Sequence, residues 1–87
     1  MFVVLTYDVG VRRTKRVMKI CRRYLTHIQK SVFEGIITQS KLDRLKVELK
    51  KAIVVEEDSV QLYEFESLRY TTKEIIGLSK ASDLHIL

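Results

Sequence analysis

The N-terminal stretch MFVVLTYD constrains the fold more than any other. Met1 to Leu5 are apolar without interruption. An extended segment of that kind must be covered on both faces, as a central strand is. It therefore needs a strand on each side and a helical layer against it. The run closes with Thr6, Tyr7 and a lone acid, Asp8, before Gly10 breaks it. No further acid occurs until Glu34, while basic residues crowd the interval.

Beyond Gly10 the apolar period changes. Val17, Cys21, Tyr24 and Ile28, joined by Met18 and Leu25, recur near helical spacing, which predicts an amphipathic helix over 11–26. The β-forming residues Ile28, Val32, Phe33, Ile36 and Ile37 predict a strand over 28–37. Gly35 within it signals a bulge or a close backbone approach. Leu42, Leu45, Leu49 and Ile53 then share one helical face. Thr38 or Ser40 is the expected N-cap, and Ser40 with Asp43 fits a capping box. Lys50 and Lys51 in the last turn suit the helix dipole. EEDS reads as a polar turn, VQLYEF as a third strand, and Arg69 to Ile76 as a fourth.

If 28–37 contains no reversal, the plain count is βαβαββ, against βαββαβ for the ideal split βαβ sheet. Either order suits an α+β, ferredoxin-like sandwich, an antiparallel sheet with two helices on one face. The 87 residues make one domain, expected over 1–77, with a tail over 78–87 that ends in the apolar LHIL. A bare sheet edge invites pairing, and the tail is expected to pair with the partner subunit's sheet in a homodimer.

Charge narrows the partner. Residues 1–30 hold Arg12, Arg13, Lys15, Arg16, Lys19, Arg22, Arg23 and Lys30 against Asp8 alone, a net of +7. Residues 31–87 carry a net of −2. Seven cations between Arg12 and Arg23, with no acid, exceed what solubility requires. They repel at i,i+3 and i,i+4 spacings, which costs helix stability. Such an element is the footprint of a phosphate-backbone partner.

Several chemistries lack their residues. Ser31 and Ser40 have no elbow glycines. His27 and His85 have no carboxylate cluster in sequence. Cys21 is the single cysteine, so neither an intramolecular disulfide nor a zinc knuckle forms. A reducing cytoplasm is the expected location. No segment has the basic n-region of a signal peptide or the roughly 18 apolar residues of a membrane span. Asp8 keeps two readings from its residues alone: a turn former capping the next helix, or a functional carboxylate.

Three blocks now stand together. VVLTYDV leads into the basic helix; IQKSVFEG follows; a Leu-rich helix then runs through EDSV to LYEF. In this order and spacing they resemble the small CRISPR-associated adaptation protein Cas-two, from Met1 to about Gly77. The resemblance implies a ferredoxin-like homodimer that hydrolyses phosphodiesters of RNA or DNA with a divalent cation such as Mg²⁺. It also implies a role in spacer acquisition beside the CRISPR integrase subunit.

Carried onto this chain, the catalytic and metal-binding acid falls on Asp8. Tyr7, Ser31 and Phe33 would shape the site. Arg12, Arg13, Lys15, Arg16 and Lys19 would bind nucleic acid. A single carboxylate is a sparse Mg²⁺ site, but Asp8 from both subunits of a dimer can share one ion. Where some relatives have an arginine before the Ile-Gln pair, this chain has His27, a weaker anion partner. Two alternatives stay open: a non-catalytic double-stranded-DNA-binding scaffold bridging integrase dimers, and a toxin-like ribonuclease.

Overall fold

The computed structural model describes residues 1–67 and 72–77. Its elements run β1 (Phe2–Asp8), α1 (Val11–Arg22), β2 (Thr26–Gln29), β3 (Val32–Ile36), α2 (Gln39–Ala52) and β4 (Ser59–Phe65). The four strands form one antiparallel sheet in the order β2-β3-β1-β4. This is the ferredoxin-like βαββαβ arrangement. β1 is central, as its apolar run requires, with Leu5 opposite Phe33 on β3 and Leu62 on β4.

Alternation along β1 sorts its side chains. Val3, Leu5 and Tyr7 enter the core with Val17, Ile20 and Cys21 of α1 and Leu42, Leu45 and Leu49 of α2. Both helices therefore cover one face of the sheet. Phe2, Val4, Thr6 and Asp8 point to the other face, where Phe2 meets Phe65 at 6.1 Å between ring centroids. Ile36, Tyr63 and Phe65 remain well exposed.

Three expectations change. The strand predicted over 28–37 is a hairpin: the chain reverses at Lys30, whose φ is +37°, and a bulge lies between His27 and Gln29. The turn contains no glycine or asparagine to announce it. Gly35 instead permits close approach, since a Cβ there would lie 3.3 Å from Leu25 Cδ2. The first helix ends at Arg22 rather than 26, because Leu25 turns back to bond Cys21 and Thr26 begins β2. The strand expected over 69–76 lies outside the described residues up to 71, and the chain is irregular over 72–76. The tail 78–87 also lies outside the described residues.

α2 starts on Thr38, whose hydroxyl accepts from the Lys41 N–H at 3.2 Å. Ser40 is inside the helix, and Asp43 accepts from the Gln39 side chain instead of closing a capping box.

Candidate functional site

Asp8 is the last residue of β1. Its cross-strand partner on β4 is Ser59, while pairing with β3 stops at Thr6 opposite Val32. The strand end therefore projects past one neighbour, and Asp8 is exposed. It does not cap the helix that follows. The N-cap of α1 is Gly10, with no side-chain cap. Among the described residues, no hydrogen bond or ion pair engages the Asp8 carboxylate. The turn-former reading fails, and an unspent acid is left at the mouth of a basic helix.

The acid that organises the turn is Asp58, the third residue of EEDS. Its side chain is fully buried. It accepts from the backbone N–H of Gly10 and of Val54, each at 2.8 Å. It also accepts from Arg13 Nε at 2.5 Å and Arg13 Nη2 at 2.8 Å. These four donors occupy the acceptor capacity of one carboxylate. The bonds from Arg13, with those of Val54 and Gly10, hold the Asp58 carboxyl far below the usual carboxylate range against the opposing effect of desolvation. Asp58 also supplies the negative charge that α1, with no acid in its first turn, lacks at its positive end.

A pH dependence follows. The folded-state pKa of Asp58 is depressed below its unfolded value of about 4. Its contribution to stability is complete above that value and is lost as pH falls through the folded one. Thermal unfolding from pH 7 to pH 2 should show the loss concentrated below about pH 4, with a shallower acid limb in Asp58→Asn. Identical acid limbs would show that the Asp58 bonds contribute nothing.

The basic residues divide. Arg12, Lys15, Arg16 and Lys19 are exposed along α1 and unpaired among the described residues. Arg13, expected with them as a nucleic-acid contact, is instead half-buried with its guanidinium on Asp58 and at 3.5 Å from Glu57. Arg16 and Lys19, with Arg23 and Lys51, line a cleft of about 620 Å³ that includes Glu48. That acid is held by Arg23 and by the Tyr24 hydroxyl.

Of the expected site-shaping residues, Tyr7 and Ser31 line a cleft of about 290 Å³ at the strand end together with Asp8 and Lys30, whereas Phe33 lies in the core. Tyr7 is buried on the helical face, and its hydroxyl is enclosed without a hydrogen-bond partner among the described residues. Burial raises its pKa, so it is unsuited to act as a base. Phe33 is fully buried, stacked on His27 at 4.6 Å and facing Tyr7 at 6.2 Å. His27 Nε2 donates to the Lys30 carbonyl at 2.6 Å and so ties the hairpin. Ser31 contributes its carbonyl, which accepts from the Tyr7 N–H at 3.2 Å. Cys21 is buried, and desolvation pushes its thiol up to about 12, which leaves it inert.

Comparison with known proteins settles the family. The sequence model of "CRISPR associated protein Cas2" matches residues 1–73. The chain belongs to the Cas2 family. It is 41% identical over 87 residues to the CRISPR-associated endoribonuclease Cas2 of Dictyoglomus turgidum, covering 100% of both chains. The Thermotoga maritima protein of the same description is 37% identical over 83 residues, 95% of each chain. A crystal structure of cas2 superposes with a TM-score of 0.82 at 38% identity, covering 92% of this chain and 90% of that one.

The donor set also bears on a metal. Among the described residues, no three His, Cys, Asp or Glu side chains gather into a site. What the Cas2 chain offers at the end of β1 is the exposed Asp8 carboxylate, unpaired among the described residues. Mg²⁺ commonly retains waters and takes one or two carboxylates with substrate phosphate. Asp8 fits half of such a site, with hard oxygen donors and no soft ligand beside it.

Proposed function

We propose that this Cas2-family chain is a divalent-metal-dependent endoribonuclease, working as a homodimer in CRISPR spacer acquisition beside the integrase subunit. The observation that carries the reading is the Asp8 carboxylate, unpaired among the described residues, at the end of β1 just ahead of a helix whose Arg12, Lys15, Arg16 and Lys19 are likewise unpaired there. Elsewhere the chain's turn-forming acid, Asp58, is fully committed, so Asp8 is not held for structure. The relatives' description as endoribonucleases supports RNA as substrate.

Asp8 would bind the cation, with the partner subunit supplying a second carboxylate. A divalent ion held there would polarise the phosphate and lower the pKa of a bound water. Arg12, Lys15, Arg16 and Lys19 would hold successive phosphates and offset charge on the reacting one. Tyr7 closes the floor of the strand end and keeps water out of the core below. The exposed Ile36, Tyr63 and Phe65 on the helix-free face, with the edge of β4 that no further strand covers among the described residues, supply an apolar surface for a second copy. The described residues contain no helix long and apolar enough to cross a membrane, and we place the protein in the cytoplasm.

The test is cleavage of matched RNA and DNA by the purified chain. RNA should be cut with Mg²⁺, and EDTA should abolish cutting. Cleavage that persists in EDTA would sink the metal-dependent reading.

The same cations favour a second reading, a scaffold that tracks a duplex backbone and needs no hydrolysis. In that case the protein binds DNA without cutting either polymer.

A further inference from the structure

We propose that Asp58 and Arg13 form a clamp that positions Asp8, so that both are positioning residues for the site rather than contacts to nucleic acid. The inference rests on the metal-binding reading of Asp8 given above. The Asp8 carboxylate has no partner of its own among the described residues, so its place is set wholly by backbone. Two backbone constraints bear on it. One is Gly10, two residues downstream, whose N–H is bound by Asp58. The other is Ser59, the cross-strand partner of Asp8 and the residue directly after Asp58. A single buried carboxylate thus fixes both chain segments that locate Asp8.

Arg13 completes the device. Its guanidinium reaches back from the first turn of α1 and meets Asp58 through two nitrogens. The geometry of the turn is cut to fit it: a Cβ on Gly10 would lie 2.5 Å from Arg13 Nη2. The Val54 N–H brings in the chain after α2, so the clamp joins the β1–α1 turn to the α2–β4 turn. A planar two-nitrogen fork is what a lysine cannot supply. Arg13 is therefore spent on Asp58, while Arg12 and Arg16 stay free for phosphate.

The deciding experiment measures Mn²⁺ binding to the full chain by electron paramagnetic resonance, without RNA, and the salt dependence of RNA binding without metal. Residues that orient a metal ligand typically change affinity by about 10- to 100-fold. Arg13→Ala and Asp58→Asn should each weaken Mn²⁺ roughly tenfold or more. Arg13→Lys should recover part of that loss. The Arg13 variants should keep the native salt slope, whereas Arg16→Gln should flatten it by about one phosphate contact.

Native Mn²⁺ affinity in Arg13→Ala, with Asp8→Asn losing it, would overturn the clamp and leave the Asp8 reading intact. Native affinity in Asp8→Asn would overturn that reading, and the clamp with it. A slope flattened by Arg13→Ala would return Arg13 to the phosphates. Should Asp58→Asn or Arg13→Ala fail to fold by circular dichroism, Arg13→Lys decides alone. It keeps both backbone bonds to Asp58, and it should lose Mn²⁺ affinity by about threefold or more.

Discussion

Asp8→Asn is expected to reduce Mg²⁺-dependent RNA cleavage by on the order of 100-fold or more. A catalytic metal contributes several kcal/mol of charge stabilisation, and about 1.4 kcal/mol is tenfold in rate. The substitution keeps size and hydrogen-bonding capacity but removes the charge that holds the ion. In a dimer both copies of the site are altered together, so no native half remains. Because the Asp8 side chain is exposed and unpaired among the described residues, the fold should be unaffected, and thermal unfolding should match that of the native chain. The measurement is initial cleavage rate against Mg²⁺ concentration, with RNA binding followed separately. Unchanged cleavage would mean that Asp8 is not the metal ligand or that the activity belongs to a contaminant. Lost cleavage with intact spacer acquisition in cells would favour the scaffold role for this chain.

Phe33→Ala should be the most damaging substitution for stability. Phe33 is fully buried between His27 and Tyr7, and removing such a ring costs about 3–5 kcal/mol in lost transfer energy and cavity. Small domains have about 5–15 kcal/mol in total. The unfolding midpoint should fall by more than about 10 °C. Phe33→Leu, which refills much of the space, should lose far less. The resemblance alone casts Phe33 as a residue of the site, but its surroundings make it the joint between the β2–β3 hairpin and β1. RNA cleavage by Phe33→Ala, measured well below its own midpoint, should stay within a few-fold of native. A native melting curve together with lost cleavage would reverse that assignment.

The parts of this protein legible in its sequence are those set by local pattern. The unbroken apolar run marks β1 as central: Val3, Leu5 and Tyr7 go under the helices, and Phe2 is buried on the helix-free face. The leucine spacing marks α2 because only a helix places Leu42, Leu45 and Leu49 on one side. The cations between Arg12 and Arg23 mark a polyanion surface because charge of one sign is costly unless something of the other sign meets it. Asp8 was conspicuous for the same reason.

What stayed hidden depends on contacts between distant segments. Lys30 and Ser31 carry no turn signature, so the reversal that splits 26–36 into two strands comes from β3 pairing with β1 and β2 pairing with β3. Phe33, His27 and Tyr7 meet only once that pairing is made. Asp58 looks like any acid in a polar turn, and Arg13 like any cation of its helix; they are 45 residues apart. Folding brings them together, and burial turns an ordinary ion pair into a fixed one. Sequence thus set the strand, the helices and the charge of the surface. The tertiary structure decided which acid is spent and which is free, because only packing determines which carboxylates find donors and which are left facing solvent.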